Sequence, residues 1–224
     1  MMKKLFFGLL AVSILSGCAS SGVAPMAMGS IASATQPPHL VAGQQWTYKR
    51  VDLWKNVETE RFSQTFIEQT SGKWRVDWTI LSSTDSARVG TTPEQFDAST
   101  HGFADPLLTG QHQPLKFPLS VGKRWTFSYQ YQSKPDTRVD VTQTAQVTQG
   151  ETVTVPAGTF KALRVEHVGR YTATQANQHW SGRITETYWY APEVGRVVAS
   201  EYKDTTGRGT TWDQRRDELV AIRR

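Results

Sequence analysis

The sequence predicts an all-β domain: a single curved antiparallel sheet of about ten strands, forming a half-barrel or open barrel, with one long loop carrying a short helix. Three observations lead there. Apolar and polar residues alternate over long runs, as in Trp74, Val76, Trp78 and Ile80 against Lys73, Arg75, Asp77 and Thr79, and in Trp125, Phe127, Tyr129 and Tyr131 against Arg124, Thr126, Ser128 and Gln130. Successive side chains leave a pleated strand on opposite faces, so each run has one buried and one wet face. Turn signals recur between the runs, at Ser71-Gly72, Lys134-Pro135-Asp136, Pro192-Glu193-Val194-Gly195 and Thr206-Gly207. Strands at this spacing fold as a meander that curls.

In chain order, residues 1–17 read as an export signal: Lys3 and Lys4, an apolar run from Leu5 to Leu15 too short to span a bilayer, then Ser16-Gly17. The ending Leu15-Ser16-Gly17-Cys18 resembles the bacterial lipoprotein box, in which the chain is cut before the cysteine and a diacylglycerol is attached to its sulfur. That resemblance implies Cys18 as the lipidation site and a membrane partner through the lipid. Cys18 is the single cysteine, so no disulfide forms within one chain and stability must come from the core. Residues 18–38 form the acylated start of a small, polar tether with a reach of roughly 25 Å as a flexible coil. Ala19 is not the Asp that holds such proteins in the inner membrane of enterobacteria, so an outer membrane facing the periplasm is the expected address.

Residues 39–224 are expected to form the β-domain. Gly43-Gln44-Gln45-Trp46-Thr47-Tyr48 opens it, and the phrase returns as Gly122-Lys123-Arg124-Trp125-Thr126-Phe127. A looser echo pairs Trp74-Arg75-Val76-Asp77 with Leu163-Arg164-Val165-Glu166. Either a meander has been duplicated, as 39–118 and 119–224, or Gly-initiated strands share the same needs. Strands are expected at 45–52, 60–69, 74–80, 125–131, 137–148, 183–190, 195–202 and 211–221. A hairpin turns at Pro156-Ala157-Gly158, where Pro presets φ and Gly takes the exit. Its parity is imperfect, because Phe160 and Ala162 share one face while Leu163, Val165 and His167 share the other. A bulge, or a Phe160 that plugs the core, is expected. Between Ser82 and Pro118 the pattern breaks; a helical turn is expected at Thr92, with Pro93 in its first position and Gln95 three residues after the cap. So long a segment is either a lid or an ordered crossover.

Val153-Thr154-Val155-Pro156-Ala157-Gly158-Thr159-Phe160, followed by Tyr188-Trp189-Tyr190-Ala191-Pro192-Glu193-Val194-Gly195, resembles the paired signature of bacterial periplasmic and lipoprotein β-domains of unknown function. Pro118 to Trp125 fits the same group. The resemblance implies a curved antiparallel sheet, akin to the half-barrels of the Lol lipoprotein-sorting factors, whose concave face holds acyl chains. It carries over no chemistry.

The residues point away from common enzymes. No G-x-S-x-G is present, and Cys18 is taken by lipid. His39, His101, His112, His167 and His179 are not grouped as metal ligands, so no metal or cofactor is expected. His167 reads as a strand histidine near the sheet edge with a hydrogen-bond partner. Glu186 and Glu201 lie in strands expected to pair and could form a carboxylate couple of the glycosidase kind, if both faced a cleft. The net charge of +5 includes two lysines of the export signal, and the remaining cations are scattered among acids, which argues against nucleic acid. The chain holds eight Trp, seven Tyr and nine Phe. Trp74, Trp78, Trp125, Tyr129 and Tyr131 are the candidates for a concave groove that takes a lipid or glycolipid, or else they are core. These features imply an envelope lipoprotein that binds or scaffolds, with a lipid, a glycolipid or an envelope protein as partner. The alternatives are an enzyme acting on envelope polysaccharide, or a pure interaction protein with no pocket.

Overall fold

The computed structural model describes residues 31, 33–34, 36–104 and 108–224. The export signal, Cys18 and most of the tether lie outside the described residues. Fourteen strands follow in order: β1 (Ser33–Ala34), β2 (Gln45–Asp52), β3 (Val57–Thr70), β4 (Lys73–Ser83), β5 (Gly90–Asp97), β6 (Gly102–Ala104), β7 (Leu108–Gly110), β8 (Leu119–Ser120), β9 (Arg124–Lys134), β10 (Thr137–Val155), β11 (Gly158–Gln175), β12 (Gln178–Ala191), β13 (Arg196–Thr206) and β14 (Thr211–Arg223). Twelve of them make one curved sheet in the order β6-β5-β4-β3-β2-β14-β13-β12-β11-β10-β9-β7, and every pairing is antiparallel. The sheet does not close: it is the open half-barrel that the alternation predicts. Among the described residues no helix is long and apolar enough to cross a membrane.

The two Gly-Trp phrases start β2 and β9 by the same local design. Gly43 and Gly122 take φ of 88° and 90°, a left-handed conformation that suits glycine. Gly43 donates its N–H to the carbonyl of Phe66 and Gln44 accepts from the N–H of Phe66; Gly122 donates to Val147 and Lys123 accepts from Val147. Beyond Phe66 and Val147 each wing carries a register shift, between Phe66 and Glu68 in β3 and between Val147 and Gln149 in β10. The partners of Phe66 and Val147 across these pairs are Val76 and Val165, the residues of the looser echo.

Pro156-Ala157-Gly158 turns the chain as expected, with Val155 opposite Gly158 and Val153 opposite Phe160. The parity problem is resolved further along, by the β10 bulge at Thr148, which lies opposite the Arg164–Val165 step. Ala162 and Leu163, adjacent in β11 and so on opposite faces, are buried in different clusters. One cluster is built from Trp46, Tyr48, Phe62, Phe66, Trp74, Val76 and Phe96 with Leu219 and the hairpin tip, whose Ala157 N–H reaches the Leu219 carbonyl. A second joins Trp125, Phe127, Val147, Leu163 and Val165 to Leu115 and Leu119, and a third gathers Val139, Val141, Tyr171 and Ile184.

The helical turn expected at Thr92 is a correction. Thr92 and Pro93 lie within β5, and the short helix is a 3-10 turn at Ser86–Arg88 capped by Asp85. Proline is tolerated there because β6 pairs only with residues 95–97, so the missing N–H of Pro93 deprives no neighbour of a ladder bond on that side. Residues 98–101 and 111–118, the described parts of this segment beyond β5 that lie outside its strands, form a crossover that faces the concave side of the sheet. Leu115 and Phe117 donate N–H groups to Thr100 and Ser99, tying the crossover to itself, and Leu115 and Leu119 seal the second cluster.

Candidate functional site

Between the crossover and the concave face lies a cavity of about 330 Å³, open to solvent. Alternation on adjacent strands supplies its wall. Tyr48 and Arg50 come from β2, Phe62 and Gln64 from β3, Trp78 from β4, Glu186 and Tyr188 from β12, Ser200 and Tyr202 from β13, and Arg215 and Asp217 from β14. His101, His112 and Pro114 of the crossover and Phe103 of β6 close it from the other side. The Trp78 ring stacks on Phe62 at 4.8 Å and meets Phe103 edge-on at 5.1 Å, which makes one side of the cavity an aromatic surface.

A polar cluster occupies the side nearer β11. His112 donates from Nε2 to Glu186 Oε2 at 3.2 Å, and His167 Nδ1 lies 3.6 Å from the same oxygen. His167 donates from Nε2 to the Pro114 carbonyl at 3.0 Å. Its Nδ1 lies 3.2 Å from Gln143 Oε1, and the Gln143 NH2 is buried without a partner, so with Nδ1 the bare nitrogen of a neutral ring the carboxamide satisfies both groups only when turned to present its NH2. Gly169, opposite Gln143 on β11, provides the room, since a Cβ there would stand 2.5 Å from Gln143 Cγ. Burial works to raise the Glu186 carboxyl, but the charge and hydrogen bond of His112, with His167 and Gln143, outweigh it and hold the group at about 2. For His167 burial dominates and pushes the imidazole down to about 4, against the opposing pull of Glu186. Burial drives the Tyr188 hydroxyl well up, and the Glu186 charge adds to that.

This cluster sets the acid stability of the domain. The unfolded chain protonates His167 near its ordinary value of about 6.5, whereas the folded chain does so near 4, so the stabilisation is present above pH 6.5 and lost as pH falls toward 4. Urea midpoints should therefore report a loss of about 2 kcal/mol between pH 7 and pH 5 from His167 alone. His101, also held well below its ordinary value by burial, adds a loss of the same sign. Glu186 does not contribute in this window, because its stabilisation disappears only as pH falls from the ordinary carboxylate range through about 2. A His167→Gln variant should flatten the pH 7 to 5 slope; an unchanged slope would refute this account.

At the opposite side, nearer β3, sits Arg196, only 3% exposed. Its guanidinium lies 4.5 Å from the Phe96 ring centre, 5.1 Å from Phe66 and 5.5 Å from Trp46. Nη2 donates to Gln64 Oε1. Nε and Nη1 are buried without a hydrogen-bond partner, as are both ring nitrogens of buried His101.

The candidate groove residues divide. Trp78 lines the cavity, with Tyr129 5.2 Å from the His112 ring and Tyr131 stacked on Tyr129 at 6.2 Å. Trp74 and Trp125 are buried in the first and second clusters. Glu186 and Glu201 do not form a couple. Glu186 stands opposite Tyr202 and Glu201 opposite Thr187, which puts the two carboxylates on opposite faces, and Glu201 accepts from Arg216 Nη1 at 2.7 Å. His167 has the hydrogen-bond partner expected, but it does not lie near the sheet edge: β11 pairs on both sides, with β10 and β12, and the ring is buried. No sequence signal marks Arg196: it follows Gly195 at the start of β13, where a basic residue ordinarily faces water. Among the described residues no three His, Cys, Asp or Glu side chains gather to hold a metal ion.

Neither a protein-family model nor a curated protein matches the chain. Solved structures are similar to it in fold. An exported protein from Bacteroides fragilis with a YmcC-like fold covers 87% of this chain and 100% of its own, with a TM-score of 0.51 and 16% identity. A lipoprotein from Parabacteroides distasonis covers 85% and 99%, with a TM-score of 0.53 and 13% identity. The lipoprotein YmcC from Escherichia coli covers 81% and 85% at a TM-score of 0.38 and 10% identity, too distant to carry an argument. At these identities the likeness is one of fold alone.

Proposed function

We propose that this chain is a lipoprotein of the cell envelope, held to the outer membrane by lipid on Cys18, whose half-barrel is a binding module for an acyl chain or glycolipid. The anchor rests on Leu15-Ser16-Gly17-Cys18, and the lipoprotein and exported character of the similar folds supports it. The binding role rests on one observation. The concave face is not filled: an aromatic wall of Phe62, Trp78 and Phe103 borders open space of about 330 Å³, within the range of small-molecule sites. Native mass spectrometry of residues 19–224, exported without lipid and purified without detergent, tests this. The expected result is a reproducible mass excess that extracts into organic solvent and disappears on Trp78→Ser; a bare mass, with melting unaffected by added lipids, overturns it. Cys18→Ser in the full chain should release the domain from membranes, because a single lipid-bearing residue supplies the anchor.

The Glu186–His112 pair favours a second reading from another class. A buried carboxylate that orients an imidazole is the support a general base uses, and both groups line an open cavity. The substrate would be envelope polysaccharide. Incubation with envelope glycans, with His112→Ala as control, should then release sugar fragments dependent on His112.

A further inference from the structure

Resting on the cavity reading above, we propose that Arg196 and His101 form an oxyanion subsite, so that the ligand is an anionic amphiphile whose carboxylate or phosphate head lies against Arg196. A guanidinium stays protonated under ordinary conditions, and taking its charge out of water costs several kcal/mol unless an opposite charge meets it. Each of the other arginines lining the cavity already faces a carboxylate: Arg50 is bonded to Asp217 and Arg215 to Asp213. Arg196 donates to Gln64 and interacts with the Tyr48 and Tyr190 hydroxyls, all three neutral, and among the described residues no carboxylate is bonded to it. The rings of Trp46, Phe66 and Phe96 stabilise the cation in part but leave Nε and Nη1 without acceptors.

Nε and Nη1 donate along different edges of the planar group, so each offers one charged hydrogen bond to an oxygen of a carboxylate or phosphate. His101 adds a third. It is buried and held neutral, so one of its two unpartnered nitrogens carries a hydrogen to donate. Its backbone has φ of 58°, in the left-handed region that histidine, like asparagine and aspartate, adopts more often than other side chains. From this corner the aromatic wall leads outward, and it suits an apolar body rather than a second charge.

Titration of the mature chain with dodecanoate, dodecyl phosphate, dodecanol and inorganic phosphate, followed by calorimetry, tests the assignment. The expected result is that the two anionic amphiphiles bind at least tenfold more tightly than dodecanol, and that Arg196→Met abolishes this preference while dodecanol still binds. Equal binding of dodecanoate and dodecanol to the unaltered protein overturns the oxyanion subsite and leaves the apolar cavity standing. Binding of none of the four overturns both. Inorganic phosphate binding as tightly as dodecyl phosphate overturns the amphiphile and identifies a free oxyanion as ligand. Should Arg196→Met fail to fold, the Nε–H resonance of Arg196 in the unaltered protein reads the same contact: it should move with dodecanoate and stay with dodecanol. A resonance that moves with neither overturns the assignment.

Discussion

Truncating Phe66 to alanine should cost about 3–5 kcal/mol of unfolding free energy, read as a fall in the urea midpoint at an unchanged slope. Phe66 has no solvent exposure. Its ring meets Trp46 at 5.2 Å, Trp74 at 5.7 Å and Phe96 at 5.2 Å, each edge-on or nearly so, in the arrangement the aromatic quadrupole favours. These neighbours come from β2, β4 and β5, with backbones fixed by ladders on both sides of β3, so they cannot collapse into the space a ring leaves. The loss therefore includes a cavity in addition to the transfer of the ring. The Arg196 guanidinium, 5.1 Å away, loses one of the faces that stabilise it. Trp78 provides the contrast. It borders the cavity, so Trp78→Ser should affect ligand retention more than stability. A loss below about 1 kcal/mol for Phe66→Ala would mean that the first cluster is not the core of this wing.

The strands were legible because period-two alternation survives along them: β2 runs from Gln45 to Asp52, the bounds expected, and the Pro156-Ala157-Gly158 turn is where its residues put it. The segment from Ser82 to Pro118 was not legible. Its residues do not alternate, and Thr92-Pro93 carries a helix-start signal that pairing with β4 overrides. Local pattern also cannot separate groove from core. Trp74 and Trp78 belong to one alternating run, yet only Trp78 borders the cavity, because burial at its end of β4 depends on how far the crossover reaches. The Glu186–His112 pair joins residues from distant parts of the chain, and His101 meets Arg196 only through that crossover. Arg196 gave no signal because its burial is decided by Phe66 and Phe96, strands away on a sheet curved enough to bring them together. Sequence periodicity reports which face a residue takes, and curvature decides what stands opposite that face.

Replacing Arg50 with methionine should cost about 3 kcal/mol, because it removes the shared partner of two carboxylates. Register places Asp217 of β14, Arg50 of β2 and Glu60 of β3 in one row across three adjacent strands. Arg50 donates from Nε and Nη2 to the two oxygens of Asp217 at 2.8 and 2.9 Å, and from Nη1 to Glu60 at 3.0 Å. Glu60 is 2% exposed, and its other oxygen lies 2.8 Å from Arg88 Nη1. Methionine keeps the stem that packs beside Phe62 and deletes the charge, so the loss isolates the unpaired acids from any change of packing. Lysine should recover little, since a single ammonium cannot serve a fork and a second acceptor at once. Adding Glu60→Gln to Arg50→Met should recover part of the loss, because it removes a buried charge that is then met by the half-exposed Arg88 but no longer by Arg50. Urea midpoints of the three variants decide the matter: a single variant within about 1 kcal/mol of the unaltered chain, or a double variant weaker than the single, contradicts the row. The same row bears on the cavity. Asp217 lies in the cavity wall with its charge already matched by Arg50, so it offers nothing to Arg196. Releasing Asp217 through Arg50→Met should therefore weaken binding of anionic amphiphiles by placing an unmatched negative charge in the same space.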